Sequence, residues 1–242
     1  MIFGMATIDV AMLPSQAAEA DIAVVIDTIR ATTTIAYALA AGYQRIICIA
    51  DPEAARAEAD ILGSTAILAG EHHGDRIAGF ELGNSPSEFS NPRCENVVFV
   101  TRNGVQAIIQ SSTEAATVLC GSLANLGAVA QYLTPLLADG NSLVIRCAGT
   151  RGAIALEDCY TAGALISALG SGHELTDSAQ VSVAVTRGFS APLDALLLAQ
   201  STRNITPLGH GKDVEVAAKI GVLDVVPLAV EISDARVVLE PV

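Results

Sequence analysis

The apolar run Val24-Val25-Ile26 ends in the carboxylate of Asp27, and Arg30 and the hydroxyls of Thr32, Thr33 and Thr34 follow it closely. A carboxylate at the end of a buried strand can hold a divalent cation or attack phosphorus. A guanidinium and hydroxyls at the start of a helix can hold anionic oxygens, helped by free helix N–H groups and the helix dipole. Together these residues describe a metal-assisted site for an anionic, phosphorylated small molecule. The competing reading is a capped helix with one surface ion pair.

Three further polar clusters fall after strand-like runs or inside a loop. One is Gly70-Glu71 followed by Gly79-Phe80-Glu81-Leu82-Gly83-Asn84-Ser85-Pro86. The next is Thr101-Arg102-Asn103-Gly104. The last is Cys147-Ala148-Gly149, followed by Glu157-Asp158 and Ala162-Gly163. Mg²⁺ prefers hard oxygens and keeps waters, so a few carboxylates suffice; the candidates are Asp27, Glu71 and Asp158, with Asp213 behind them. Arg30, Arg102 and Arg187 are candidates to pair with anionic groups, Arg187 equally a surface salt bridge. Asn84 and Asn103 can donate amide hydrogens, or simply hold a turn and start a helix. Among the histidines His210, between two glycines and near Asp213, is best placed to act as an acid.

These residues need elements to bring them together. Strands are expected at Ile22–Asp27, Arg45–Ala50, Thr65–Ala69, Val97–Thr101, Ala116–Cys120, Ser142–Cys147 and Val181–Thr186. Helices are expected at Ala31–Ala41, Pro52–Ile61, Asn103–Ser111, Leu123–Leu137, Ile154–Leu169, Pro192–Ser201 and Lys212–Ile220. Ala6–Met12, Val225–Ile232 and Arg236–Leu239 are expected as strands near the sheet edges. Strands alternating with helices imply an α/β fold: three layers, α/β/α, around a mostly parallel, mixed sheet. Ligands of such sheets collect at the carboxyl ends of the strands. Gly70 to Pro92 reads as a long loop, and long ordered loops are often functional. No linker divides residues 1–242, which read as one domain. A Thr-Arg echo at Thr101-Arg102 and Thr186-Arg187 hints at two related halves.

Hydrophobic residues make up 51% of the 242, enough for a large core, and with aromatics at 4% that core must be aliphatic. The net charge of -13 argues against nucleic acid and anionic lipid as partners. An anionic substrate therefore needs a local basic pocket or a metal. The five scattered cysteines fit reduced thiols in a cytoplasm. Cys147 and Arg151 are too close in sequence for the loop of a thiol phosphatase. The uncharged stretch Ala115 to Ala138 reads as a strand, a Ser122 cap and a helix rather than a membrane span. A homodimer is compatible with the sequence, which does not fix the oligomeric state.

The ordered set of motifs resembles the 2-phosphosulfolactate phosphatase family, with its ComB-like fold. The set comprises D-x-x-R-A-T-T-T at Asp27 to Thr34, G-E at Gly70-Glu71 and G-F-x-L-G-N-S-P at Gly79 to Pro86. It continues with T-x-N-G at Thr101 to Gly104, E-D-x-x-x-A-G at Glu157 to Gly163 and G-x-x-x-D at Gly209 to Asp213. Arg102 and Val105 depart from the smaller polar residues expected around the N-G turn, and His72 and His73 stand outside the motifs. The resemblance implies a Mg²⁺-dependent phosphatase of 2-hydroxycarboxylic acid phosphate esters, releasing sulfolactate and phosphate in coenzyme M or sulfolactate metabolism. It raises Asp27 and Glu71 as metal ligands and Asp27 and Arg30 as catalytic groups. Thr32, Thr33, Thr34, Asn84, Ser85, Arg102, Asn103, Gly104 and Arg187 remain for substrate. Either Asp27 attacks phosphorus, or water does with Asp27 as ligand or base. Haloacid-dehalogenase phosphatases place a second Asp two residues on, where this chain has Ile29. The rival functions are a non-catalytic phosphometabolite-binding module and a phosphatase for another phosphorylated hydroxy acid.

Overall fold

A computed structural model describes residues 5–13 and 15–242. Its strands are β1 (Thr7–Ala11), β2 (Ala20–Ile26), β3 (Arg45–Ile49), β4 (Ala66–His72), β5 (Asp75–Arg76), β6 (Asn96–Val100), β7 (Ala115–Gly121), β8 (Leu143–Cys147), β9 (Glu174–Leu175), β10 (Pro227–Ser233) and β11 (Arg236–Pro241). Its helices are α1 (Ala31–Ala41), α2 (Pro52–Leu62), α3 (Gly104–Glu114), α4 (Leu126–Ala138), α5 (Leu156–Leu169), α6 (Asp177–Arg187), α7 (Pro192–Leu198), α8 (Gln200–Ile205) and α9 (Gly211–Ala217).

The strands form one mixed sheet in the order β5-β4-β6-β3-β11-β10-β7-β2-β8-β1-β9. Two parallel blocks, β4-β6-β3 and β7-β2-β8-β1, are joined by the antiparallel hairpin β10–β11. Alternation along β2 builds the layers. Ile22, Val24 and Ile26 pack with α4, α5 and α6 on one face, while Ala23 and Val25 pack with α1 and α3 on the other. A separate cluster on Ile47, Ile49, Val98 and Val100 receives α2 through Ala55. The three-layer α/β/α fold expected from the sequence is thus present, with α1 identical in its bounds and most other elements within a few residues.

Three expectations fail. Val181–Thr186 is helical, inside α6. Thr176 caps this helix by accepting from the Ala179 amide, and its inward positions Ala179, Ser182 and Val183 recur at helical spacing despite the β-branched residues. The Thr186-Arg187 echo therefore ends a helix, not a strand, and no longer supports two related halves. The C-terminal strands lie mid-sheet rather than at its edges, because Val237, Val238 and Leu239 are all fully buried on both faces. Ser122 does not cap a helix; its backbone and hydroxyl both donate to Asn125 Oδ1, and α4 starts at Leu126. Among the described residues no single helix is long and apolar enough to cross a membrane, although the bent pair α6–α7 meets that criterion jointly by length and composition.

Candidate active site

Asp27 leaves the carboxyl end of β2 into a turn stiffened by its own threonines. The Asp27 amide donates to Thr32 Oγ1 at 3.0 Å, and that hydroxyl donates back to the Asp27 carbonyl at 3.1 Å. Thr33 Oγ1 closes onto the Thr28 carbonyl at 2.9 Å. Thr34 Oγ1 donates to the Asn84 carbonyl at 3.0 Å and so ties the distant G-N-S-P segment to this turn. The three hydroxyls sequence reasoning offered to substrate oxygens are thus spent on backbone, where they fix the loop.

The turn is held from behind by α5. Asp158 Oδ1 accepts from the Thr28 amide at 2.9 Å and Oδ2 from the Gly149 amide at 3.0 Å. Both oxygens of this expected metal ligand are therefore occupied by loop backbone, and the residue does not line the cleft. Its carboxyl is pushed well above the usual range by burial and then by Glu157 and Asp27. Thr28 Oγ1 donates to Thr161 Oγ1, completing the bracket.

A cleft of about 630 Å³, counting the solvent at its open mouth, lies above this turn, lined by Asp27, Ile29, Arg30, Glu71, His73, Gly74, Asn84, Arg102, Asn103, Thr150, Arg151, Ser201, Asn204 and Ile205. At its floor Asp27 is nearly buried, its Oδ1 accepting from the Ala31 amide at 3.3 Å. Its Oδ2 faces the start of α3. A Cβ on Gly104 would lie 2.8 Å from that oxygen and 2.5 Å from the Ala31 side chain. Gly104 is thus required by the close approach of α3 to the carboxylate. Burial pushes the Asp27 carboxyl up to about 7; the charges of Glu71 and Glu157 add to this, while the Ala31 amide and Arg30 oppose it.

Arg30 is buried and fully oriented, donating to Asp213 Oδ2 at 2.9 Å and to the Gly74 carbonyl at 3.0 Å. Asp213, on α9, also accepts from Ser85 Oγ at 2.6 Å. Ser85 therefore turns away from the cleft, and His210, 3.8 Å from Asp213, stands behind Arg30 rather than over the floor. Glu71, near the end of β4, accepts from the Gly74 amide at 2.6 Å through Oε2. Asn84 is buried with its Oδ1 lacking any partner, and Asn103, at the head of α3, makes no side-chain capping bond.

The structure brings together Asp27, Arg30, Glu71, Asn84, Arg102 and Asn103 in one cleft. It does not bring in Arg187, exposed at the end of α6, nor Thr32, Thr33, Thr34, Ser85 and Asp158, which brace the walls. Among the described residues no three His, Cys, Asp or Glu side chains lie close enough to hold a metal by themselves. The set Asp27, Glu71 and Asp158 is therefore not a preformed metal cage. Two contributors were missed. Glu157 is buried behind the floor with Oε2 unpartnered and its carboxyl raised, chiefly by burial, against the pull of Ser201 and Arg203. Arg151 follows β8 into the cleft wall; its position just past a strand end was the available signal.

Residues 9–231 match the family model described as 2-phosphosulpholactate phosphatase. The chain is 37% identical over 240 residues to a probable 2-phosphosulfolactate phosphatase of Carboxydothermus hydrogenoformans, covering 96% of this chain and 97% of that protein. A protein of the same name from Deinococcus radiodurans is 34% identical over 215 residues, covering 87% and 88%. One from Thermus thermophilus is 36% identical over 212 residues, covering 86% and 87%.

Proposed function

Because the chain belongs to the 2-phosphosulpholactate phosphatase family, a family of phosphoric monoester hydrolases, we propose that it hydrolyses 2-phosphosulfolactate or a closely related 2-hydroxycarboxylic acid phosphate, with Mg²⁺ as cofactor. The observation that carries the reading is the convergence of Asp27 and Arg30 from one turn with Glu71 and Asn84 from two other chain segments on one cleft floor. The donor set fits Mg²⁺, which is commonly held by one or two carboxylates plus waters and substrate phosphate rather than by an all-protein cage. Asp27, Glu71 and the unpartnered Asn84 Oδ1 are the hard oxygens that would hold it. When bound, the cation neutralises phosphoryl oxygens.

The chain's own groups supply the rest. Arg30, locked by Asp213 and Gly74, presents its remaining N–H groups to the phosphoryl oxygens without reorganising. Asn103 and the start of α3 offer further donors beside Asp27. In this reading Asp27 Oδ2 is the nucleophile: a bond forms from this oxygen to phosphorus, the ester P–O bond breaks and the alcohol leaves after taking a proton from solvent, and water then cleaves the aspartyl phosphate, releasing phosphate and restoring the carboxylate.

The test is phosphate release from 2-phosphosulfolactate with Mg²⁺ and with EDTA, for the parent and for Asp27→Asn and Glu71→Gln. Turnover requiring Mg²⁺ and lost in both variants is expected. Turnover that survives EDTA and both substitutions rejects the reading, and tight substrate binding with no release points to the binding-module alternative. Faster release from an unsulfonated ester, such as phosphoglycolate or phospholactate, moves the substrate within the same chemistry.

A further inference from the structure

One buried acid near the cleft has no part in holding or attacking the phosphoryl group. Glu157, on α5, is 1% exposed, and its Oε2 has no hydrogen-bond partner. An unpaired buried carboxyl is costly, and its retention beside a cleft marks a functional candidate. Its immediate neighbours do not satisfy it. Asp158 is saturated by the Thr28 and Gly149 amides, and Cys147 and Cys159 bond each other. The polar side-chain contact it does make leads out of the core: the Ser201 hydroxyl donates to the Glu157 carboxylate. Ser201 Oγ in turn lies 2.7 Å from Thr150 Oγ1, and both hydroxyls line the cleft while Glu157 does not.

A chain of hydroxyls can reverse its direction, because each one both donates and accepts. With Glu157 ionised, Ser201 donates to it and Thr150 donates to Ser201, which leaves Thr150 presenting lone pairs to the cleft. With Glu157 protonated, both bonds turn round and Thr150 donates into the cleft. The three side chains come from separate segments: Thr150 follows β8, Glu157 lies in the first turn of α5 and Ser201 in the first turn of α8. The titratable and charged groups around Glu157 are Asp158 and Cys159 on its own helix, Cys147 from β8, Asp27 from the turn after β2 and Arg203 from α8. Burial raises the Glu157 carboxyl above its ordinary value, against the pull of Ser201 and then of Arg203, so it exchanges a proton nearer neutral pH than a surface glutamate does.

We propose that Thr150, Ser201 and Glu157 form a relay that takes up the proton of the water that cleaves the aspartyl phosphate. The relay rests on the covalent reading of Asp27 for the intermediate it acts on. The alcohol has left by that stage, so water enters against the wall that carries the two hydroxyls. The water oxygen bonds to phosphorus as the bond from Asp27 Oδ2 breaks and the carboxylate re-forms. The water proton passes to Thr150, the Thr150 proton to Ser201 and the Ser201 proton to Glu157, which then returns one proton to solvent. Glu157 touches neither the water nor the phosphorus; it is a positioning residue that acts through the two hydroxyls.

The test is rapid acid quenching of the first turnover of radiolabelled 2-phosphosulfolactate with Mg²⁺, reading alcohol released, phosphate released and label held on the protein. It compares the parent with Thr150→Val, Ser201→Ala, Glu157→Gln and the hydroxyl-keeping Thr150→Ser. The first three are expected to release the first equivalent of alcohol at the parent's rate, to accumulate labelled protein, and to lose about 10²- to 10⁴-fold in kcat, the range for a general acid or base. Thr150→Ser should recover most of that loss, and Glu157→Gln should flatten the pH dependence of kcat. Thr150→Val and Ser201→Ala carry the test if Glu157→Gln fails to fold. An unchanged kcat in those two, or a slowing of alcohol and phosphate release together without the recovery and the altered pH profile, overturns the relay. Joint slowing with both of those signs but no label on any protein leaves the relay serving direct attack by water and refutes the covalent reading instead. A parent that releases no phosphate overturns both.

Discussion

Asp27 ought to be a liability to the fold and an asset to the reaction, and that conflict can be measured. Its carboxyl, ordinarily near 3.8, is raised to about 7, first by burial and then by the neighbouring charges of Glu71 and Glu157. The folded state therefore keeps a proton that the unfolded chain releases. Between about pH 4 and 7 the folded state binds more protons than the unfolded, so stability falls as pH rises. The cost is absent below the unfolded value and complete above the folded one. A rise of about three pH units corresponds to about 4 kcal/mol. Asp27→Asn removes the charge, keeps an acceptor for the Ala31 amide, and adds an NH₂ that needs a partner at a cost of about 1–3 kcal/mol. The net expectation is a metal-free variant more stable than the parent by about 1–3 kcal/mol near pH 8, with the order reversing towards pH 4, where only the cost of the added NH₂ remains, and with no turnover. Urea midpoints in EDTA across that range read the difference. Adding Mg²⁺ should raise the parent and leave the variant unmoved, since only a ligand that binds the native state stabilises it. A gap independent of pH, or a parent more stable than the variant in EDTA near pH 8, refutes the electrostatic account of the floor.

Asp213→Ala leaves the buried Arg30 guanidinium without its carboxylate and should cost about 3–5 kcal/mol, visible as a lowered urea midpoint together with lost activity. Gly104→Ala drives a methyl against Ala31 and Asp27 Oδ2, and is expected to lower stability by about 1–3 kcal/mol and kcat by a larger factor than that strain alone implies. Iodoacetamide on the native protein should modify Cys94 first and Cys48 and Cys120 only after unfolding; the latter two are fully buried, and burial raises both thiols, Cys48 to about 12. A chiral thiophosphate ester should react with retention at phosphorus if Asp27 forms a covalent intermediate, and inversion would assign the attack to water.

Much of this was legible because two signals agree along most of the chain. Apolar runs bounded by glycine, proline or a carboxylate mark strands buried on both faces, and alanine-rich amphipathic segments mark the helices that cover them. The D-x-x-R pair and Glu71 were visible as chemistry because charge beside a buried strand is rare. What was not legible is which way a polar side chain turns. Thr32, Thr33 and Thr34 look like anion donors in sequence and prove to be backbone staples, because three adjacent hydroxyls at a tight turn find carbonyls closer than any ligand. Asp158 and Glu157 are neighbours with interchangeable chemistry, yet one saturates on two amides and the other keeps an orphan oxygen. Nothing in sequence separates them, since the amides that saturate Asp158, those of Thr28 and Gly149, belong to the loops after β2 and β8. Arg187 failed for a simpler reason: the strand assigned to Val181–Thr186 was a helix, so it never reached the sheet edge.

The position of the C-terminal hairpin explains how the site assembles at all. Five strand-to-strand steps separate β6 from β2, about 24 Å in a flat sheet. Yet Gly104, four residues beyond the end of β6, is in van der Waals range of Asp27, one residue beyond the end of β2. Four extended residues would reach about 14 Å at most, and Asn103 is already helical, so even with the roughly 10 Å that Asp27 and its contact add, a flat sheet falls short. The carboxyl ends of the two parallel blocks must be curled towards each other. The hairpin is where that bend can occur: β10 meets β7 at one residue pair, Leu228 with Leu119, and its register with β11 shifts between Ala229 and Glu231. A bulge and a minimal ladder both favour bending and extra twist. Glu71, Arg102 and Asn103 arrive from one block and Asp27, Thr150 and Arg151 from the other, so the cleft is the closed side of that bend. A strand pair that carries no chemistry thereby decides whether the walls from the two blocks face the same substrate.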